Sequence, residues 1–181
     1  MGWFKNLLGL GDDPATAKAR KLMKQDQHDA RRRFVFGVLG ISYKVDPGYL
    51  TEHSVKAVRD WYGLGTREEL ITRIQEYSQP GADNQAYDSF LASFLARAGY
   101  GIGWLGEEES WSLAFDAARQ VQQHYPSWAD YGRGYLAGQL AYRAKQGDDE
   151  ARLSEIRENV TAKIANHDAN LWAQTPFNTQ L

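Results

Sequence analysis

The chain has 181 residues, of which 43% are hydrophobic and 13% aromatic, and this fits one domain with its own core. It has no cysteine, which excludes disulfides, thiolate catalysis, iron–sulfur clusters and most structural zinc sites. The formal net charge of −2 gives no global field that would concentrate nucleic acid, so we expect no nucleic-acid partner.

The sequence carries no signal for crossing a membrane or for export. No apolar run approaches the roughly 18 residues that a membrane span needs. The N-terminus MGWFKNLLGLGDD lacks the basic start, the longer apolar run and the cleavage site of a signal peptide. We therefore expect a soluble cytoplasmic protein, peripheral to the inner membrane if its N-terminus binds lipid.

A short amphipathic segment opens the chain, with Trp3, Phe4, Leu7 and Leu8 at helical spacing. So short a helix is not stable alone, and it must dock on its own domain, on a partner or on a membrane surface. Docking on its own domain is the simplest of the three. The locally basic stretch 18–33 would supply the second signal of a membrane anchor.

The first long helix is predicted from a cap. Asp13 and Pro14 form an N-cap followed by proline at the first helical position. We expect one helix from there to about Leu39, because the apolar run 34–43 continues the pattern without a turn signal. A buried strand over that run is the alternative.

Three more helices are predicted before residue 100. Thr51 is expected to cap the first, and Thr66 and Glu69 form a capping box at the start of the second. The third begins at Asp83 or Asn84. The predicted ranges are 52–62, 67–77 and 84–99.

The stretch 99–106 alternates glycines with large apolar residues. It is not a G-x-G-x-x-G motif after a strand, and no Lys-Ser or Lys-Thr follows it, so we do not interpret it as a nucleotide site. The glycines instead indicate tight turning and close approach of two helices.

Three glutamates, Glu107, Glu108 and Glu109, open the next predicted helix, where negative charge is favourable. Adjacent helix positions point about 100° apart, so these carboxylates do not converge on one point. We therefore expect neither a metal site nor an acid–base pair there.

Pro126 ends that helix, and Ser127 with Asp130 forms a second capping box. In the following helix, Gly134 and Gly138 form a track of small residues. Glycine destabilises a helix by about 0.5–1 kcal/mol relative to alanine, so the track indicates a helix contact that needs the space.

A last helix is predicted to start at Asp148 or Asp149. Taken together, the elements predict an all-α, compact bundle of about six to seven helices. We expect an amphipathic N-terminal segment over 1–12, a helical domain over 13–172 and a loose tail over 173–181.

Several short motifs resemble a known bacterial family. They are WYGLGTREEL at 61–70, RAGY at 97–100, EESW at 108–111, SW at 127–128 and YLAG at 135–138. Together they resemble the family called domain of unknown function 1266, over roughly residues 60–143. The resemblance implies a mostly helical, cytoplasmic, bacterial protein. It implies no catalytic residues, because the family has no assigned activity.

Our leading hypothesis is a non-enzymatic protein-binding module. No catalytic constellation is recognisable, while charges of both signs and aromatic residues are plentiful. Some members of the resembled family are encoded near Hsp70 and J-domain chaperone genes or toxin-delivery loci. This implies a toxin or a chaperone-system component as partner, and an immunity protein or an adaptor as the role. Acidic clusters at 107–109 and 148–150 would suit a basic toxin cleft.

Two alternatives stay open. One is a hydrolase or transferase with a scattered polar site, and the other is a peripheral membrane protein that uses its N-terminus. The four histidines have no metal-ligand spacing, and we expect no metal and no cofactor. The candidate residues for an enzyme are His53, Arg97, Asp116, His124 and Arg133.

We expect any shared binding site to be polar and to lie around two tryptophans of the central stretch. No residue is assigned a catalytic role. The candidate binding residues are Arg97, Trp104, Asp116, Trp128, Tyr131 and Arg133.

Overall fold

The computed structural model describes residues 13–79, 84–166 and 171–181, and within these ranges the chain is helical with no strand. The predicted all-α fold is confirmed, with eight α-helices in the described ranges instead of the predicted six to seven. The amphipathic segment predicted over 1–12 lies outside the described residues. The helices are α1 Pro14–Asp26, α2 Ala30–Gly40, α3 Thr51–Lys56, α4 Arg67–Tyr77, α5 Gln85–Gly101, α6 Glu107–His124, α7 Trp128–Lys145 and α8 Glu150–Ala165.

The single helix predicted from Pro14 to about Leu39 is wrong, because the chain breaks between α1 and α2. The carboxylate of Asp29 accepts the backbone N–H groups of Arg31 at 2.8 Å and Arg32 at 3.3 Å. Aspartate favours such caps over helix interiors, so it starts a new helix here. The run after it is helical, and the alternative of a buried strand is excluded.

The predicted cap at Thr51 is also wrong. Leu50 occupies the N-cap position of α3, with no side-chain hydrogen bond, and Thr51 is already the first helical residue. The helix then widens into a π-helical turn over Ala57–Trp61, in which the N–H of Tyr62 donates to the carbonyl of Ala57 at 3.1 Å. Such turns are rare and often accompany functional positions.

Other local signals are confirmed, except that the capping box predicted for Ser127 and Asp130 forms only one of its two bonds, because the Asp130 carboxylate accepts from the Ser127 hydroxyl instead of the Ser127 backbone N–H. Asp13 caps α1, and Thr66 and Glu69 form both bonds of the capping box at α4. The Ser127 hydroxyl accepts the N–H of Asp130 at the start of α7. Caps of this kind depend on residues three positions apart, which is why sequence alone predicts them.

Helix α5 forms the centre of the bundle. Almost every residue of Gln85–Gly101 is buried, and α4, α6 and α7 pack around it. The predicted small-residue track allows this packing at Gly138, where an added Cβ would lie 2.6 Å from the Cβ of Tyr87. At Gly134 the close neighbour is instead the ring of Tyr125, at 2.7 Å.

The glycine-rich stretch makes the turn out of α5. Gly103 adopts a φ of 79°, a value that favours glycine, and the carbonyl of Gly99 accepts the N–H groups of Trp104 and Leu105. An added Cβ at Gly99 would lie 2.6 Å from Leu70 of α4. Turning and close approach therefore account for these glycines.

The C-terminal tail, predicted to be loose, is packed against the bundle. The ring of Phe177 lies 5.0 Å from that of Trp128 and 5.7 Å from that of Phe34. The side-chain amide of Gln122 donates to the carbonyls of Phe177 at 2.6 Å and Thr179 at 2.8 Å. Much of this attachment uses backbone carbonyls, so the polar composition of the tail did not reveal it.

Candidate functional site

The first predicted site residue, Arg97, lies inside the bundle. Its Nε donates to the Asp46 carboxylate at 2.8 Å, and neither side chain is exposed. Its Nη2 lies 2.8 Å from the same oxygen, a charge contact outside hydrogen-bonding geometry. Its Nη1 donates to Ser110 at 3.0 Å, and the guanidinium lies 3.6 Å from the ring centroid of Trp111. We call these four residues the Arg97 cluster.

The Arg97 cluster joins α5 and α6 to the 3-10 helix Pro47–Tyr49. Asp46 caps that helix by accepting the N–H of Gly48 at 2.9 Å. An added Cβ at Gly48 would lie 2.7 Å from Nη2 of Arg97, so the backbone passes directly over the guanidinium. Because both charges are buried and paired with each other, the cluster connects these elements inside the fold and presents no surface to a ligand.

Trp128 and Tyr131 also belong to the core. The Trp128 ring stacks on Trp172 at 5.5 Å, and its Nε1 donates to the carbonyl of Thr175 at 2.7 Å. The Tyr131 hydroxyl donates to the carbonyl of Val38 at 2.9 Å, and burial raises the pKa of this phenol well above its usual value. Both side chains stabilise the packing of α2, α7 and the tail.

The other three candidates lie nearer the surface. Asp116 is exposed and pairs with Arg119, and Arg133 is exposed and pairs with Asp130. Trp104 is half-buried, with the guanidinium of Arg59 at 5.7 Å from its ring. Among the six candidates, the structure brings Trp128 and Tyr131 into ring contact at 5.9 Å and does not gather the set into one site.

The three glutamates at the start of α6 diverge, as expected. Glu107 pairs with Arg32 of α2 at 3.2 Å, and Glu109 pairs with Arg67 of α4 at 2.6 Å. Within the described residues, no group of three acidic or histidine side chains is arranged to hold a metal ion. No helix in the described ranges is both long enough and apolar enough to span a membrane.

A groove of about 930 Å³ lies on the surface between α1, the segment 42–50 and α3. We call it the α1–α3 groove. Its outer wall, α1, buries Ala19 and Met23 and leaves most of its other side chains exposed. The end of α1 is held by Asp26, which accepts from the Tyr49 hydroxyl and pairs with Arg32 at 2.7 Å.

Apolar side chains lie along this groove. Leu22 of α1 lines it, together with Tyr43 and Leu50. His53 also lines it, with its ring 5.7 Å from that of Tyr43 and 5.3 Å from that of Trp61 at the margin. Burial, and then the nearby charge of Lys56, lowers the pKa of His53, so the protonated form of its imidazole is disfavoured. Of the five residues considered for an enzyme, His53 is the one that lines the groove.

Sequence reasoning missed this groove. Leu22, Tyr43, Leu50 and Lys163 line it, but no motif or spacing connects them along the chain. Trp61 had a weak signal, because it opens the WYGLGTREEL motif. The Asp46–Arg97 pair has no local signal either, since its partners come from separate elements.

Comparison with known proteins identifies the family. Residues 6–177 match a protein family that is described as "Protein of unknown function (DUF1266)". The chain is similar to the "Uncharacterized protein YbeU" of Escherichia coli (strain K12), with 34% identity over 114 residues, 59% of this chain and 48% of that relative. The matched part therefore spans about half the length of the relative. No solved structure matches the chain. Since the family match includes nearly all of its residues, the chain belongs to the DUF1266 family.

Proposed function

We propose that this protein is a non-enzymatic protein-binding module of the bacterial cytoplasm, and that it holds a segment of its partner in the α1–α3 groove. The observation that supports this most is the position of two exposed apolar side chains. Leu22 is 36% exposed and lines the groove, and Trp61 is 48% exposed and contacts His53 in the groove.

A single exposed apolar residue needs no explanation, because folded proteins expose much apolar surface. Two are more informative when one lines the groove, as Leu22 does, and the other contacts a groove residue, as Trp61 contacts His53. Tryptophan is among the residues that most often dominate the free energy of binding at an interface. The groove volume of about 930 Å³ also lies near the upper end of the roughly 300–1,000 Å³ typical of binding pockets. A groove of this volume can hold several side chains of a short peptide segment.

The acidic clusters suggested by the sequence are weaker candidates for the interface. Arginines of the same chain already pair with Glu107, with Glu109 and, through Arg143 at 2.6 Å, with Asp148. A partner would have to displace these ion pairs, whereas Leu22 and Trp61 are exposed without such a cost. The apolar side chains at the groove would therefore be the anchors of the interface. The surrounding charged side chains would form its rim.

Site-specific photo-crosslinking in the native cell tests the proposal. Benzoylphenylalanine is placed at position 22 or 61, with position 123 or 137, exposed sites on α6 and α7, as controls. We expect the same protein to crosslink at both groove positions and at neither control. A toxin as that partner would indicate an immunity protein, and a chaperone component would indicate an adaptor.

Binding of the purified partner completes the test. We expect Leu22→Ala with Trp61→Ala to weaken binding at least about tenfold, or about 1.4 kcal/mol. A chain that lacks residues 2–12 measures the contribution of the N-terminal segment in the same titration. Equal crosslinking at all four positions, or binding that survives the double substitution, would contradict the proposal.

A further inference from the structure

The amphipathic segment over 1–12 is attached to the fold at the α1–α3 groove. The segment itself lies outside the described residues, but Asp13, the first described residue, lines the groove together with Ala15 and Thr16 of α1. A connection of a few residues holds a segment beside its binding site at an effective concentration of about 1 mM. The groove is therefore exposed to this segment more than to any separate partner.

The segment and the groove share an apolar character. At helical spacing the segment carries four large apolar residues, which are Trp3, Phe4, Leu7 and Leu8. A helix this short is stable only when its apolar face is covered. Among the described residues, the exposed large hydrophobic side chains are Leu22 and Trp61. Leu22 belongs to α1, the helix that follows the segment, and it lines the groove.

The charges along the groove nearly balance. The described basic residues that line it are Lys18, Arg20, Lys44, Lys56 and Lys163, and the acidic ones are Asp13, Asp26, Glu52 and Glu107. A mixed lining of this kind gives no strong field that would favour an acidic or a basic occupant. Between residues 2 and 10 the sequence has one charged side chain, Lys5. The apolar, nearly uncharged segment therefore suits this groove.

The connection is long enough for the segment to fold back along α1. Leu8 precedes Asp13 by five residues, and five extended residues span about 17 Å. Leu22 follows Asp13 by nine residues, and nine helical residues rise about 14 Å. Gly9 and Gly11 lie in the connection, and glycine adopts the backbone conformations that a reversal of direction needs. Leu8 can therefore reach Leu22.

We infer that residues 2–10 bind in the α1–α3 groove of their own chain, with their apolar face against Leu22, Leu50 and Tyr43. At an effective concentration of about 1 mM, an intrinsic dissociation constant of about 0.1 mM keeps the groove about 90% occupied. The segment then competes with a partner for the groove and lowers the partner's apparent affinity. This competition rests on the proposed function, whereas the docking of the segment does not.

Photo-crosslinking within the purified full chain tests the docking. Benzoylphenylalanine is placed at position 22 or 51, which are exposed and line the groove, or at position 21 or 24, exposed sites of α1 that do not line it. Positions 21, 22 and 24 lie at similar distances from the segment along the chain. We expect residues 2–10 to crosslink at positions 22 and 51 at least about fivefold more often than at 21 and 24, because a docked segment is held on one side of α1. Equal crosslinking at all four positions would overturn the inference.

A matched variant shows whether the apolar face is responsible. The combined substitution Trp3→Ser, Phe4→Ser, Leu7→Ser and Leu8→Ser keeps the length and charge of the segment and removes its apolar face. We expect this four-serine variant to lose the preference for positions 22 and 51, and a preserved preference would overturn the inference.

Two other occupants or sites are distinguished in the same experiment. Mixing isotope-labelled and unlabelled chains shows whether a crosslink joins two molecules, and crosslinks of mixed label would place a second copy in the groove instead. Vesicles of phosphatidylglycerol and phosphatidylethanolamine test the lipid alternative. A chain that binds these vesicles through residues 2–10 and shows no preferred crosslinks in buffer would assign the segment to a lipid surface, and the inference would fail.

Titration of the crosslinked partner protein separates this inference from the proposed function. If the groove of the wild type is about 90% occupied, the four-serine variant should bind the partner about tenfold more tightly. Unchanged affinity, with the crosslinks at 22 and 51 present, would place the partner outside the groove, so the proposed function would fail and the docking would stand. If the segment does not crosslink and the partner still requires Leu22 and Trp61, the docking fails and the protein-binding proposal stands.

Discussion

The Arg97 cluster and the α1–α3 groove both combine charged and aromatic side chains, but they differ in what surrounds them. In the cluster, Arg97 and Asp46 are fully buried and bind each other. In the groove, Leu22 is exposed, and Lys44 and Lys163 line a volume that is open to solvent. Charged and aromatic side chains in a sequence can therefore indicate a binding site, but here they form part of the core in one region and an accessible surface in the other.

The largest effect should come from breaking the buried ion pair. Asp46→Ala leaves the Arg97 guanidinium buried without its carboxylate, and we expect the free energy of unfolding to fall by about 3–5 kcal/mol. Asp116→Ala, which breaks an exposed pair, should cost less than about 1 kcal/mol. Urea denaturation measures both, and similar losses in the two variants would mean that Arg97 is not enclosed as described.

The attachment of the tail should be the next largest contribution to stability. Phe177→Ala removes ring contacts with Phe34 and Trp128, and we expect a loss of about 2–3 kcal/mol, below the range for a fully buried phenylalanine. Gln180→Ala, at an exposed position of the same segment, is the control. A melting temperature unchanged by Phe177→Ala would support the loose tail expected from sequence.

Gly48→Ala tests how closely the backbone approaches Arg97. The new Cβ would meet Nη2 at 2.7 Å and the Arg97 carbonyl at 3.1 Å, and we expect a loss of about 1–2 kcal/mol. Gly40→Ala places a Cβ with no neighbour within 4 Å at the end of α2 and should be neutral or slightly stabilising. Chemical denaturation of the two variants gives the comparison, and equal stabilities would contradict the close approach.

The titration of His53 should make the free energy of unfolding depend on pH. Burial lowers its pKa in the folded chain, so the unfolded chain binds more protons, and the free energy of unfolding falls as pH drops below about 6.5. In His53→Gln this contribution disappears, and the pH dependence should become shallower than in the wild type. His124→Gln, at an exposed position, is the control, and a profile for His53→Gln that matches the wild type would contradict the assignment.

The smallest effect on stability is expected in the groove itself. Trp61→Ala and Leu22→Ala remove exposed side chains and should each change the free energy of unfolding by less than about 0.5 kcal/mol. Thermal unfolding followed by circular dichroism measures this. A large loss would mean that these side chains support the fold, and their role as interface anchors would then lack its main support.

The sequence predicted what is encoded locally. The cap at Asp13 and the capping box of Thr66 and Glu69 involve neighbouring residues, and both formed as expected. Asp29 was not predicted as a cap, because the apolar run after it suggested one continuous helix. The side chain of Asp29 accepts two backbone N–H groups, and this cap separates α1 from α2.

The sequence did not predict contacts between distant elements. Arg97 was predicted to be a binding residue, although charged side chains are usually exposed and this one is buried, and its partner Asp46 was assigned no role. The pairing depends on how the 3-10 helix crosses α5, which no local pattern specifies. The same holds for the groove, where Leu22, Lys44 and Lys163 meet only in the folded chain.

The most direct test of the account compares two tryptophans. Trp61 lies at the groove, whereas Trp104, the candidate favoured by sequence, is half-buried and contacts Arg59. Calorimetric titration of the crosslinked partner against Trp61→Ala and Trp104→Ala separates the two positions. The account predicts at least about tenfold weaker binding for Trp61→Ala and unchanged binding for Trp104→Ala. The reverse result would place the interface at the central stretch and contradict the groove.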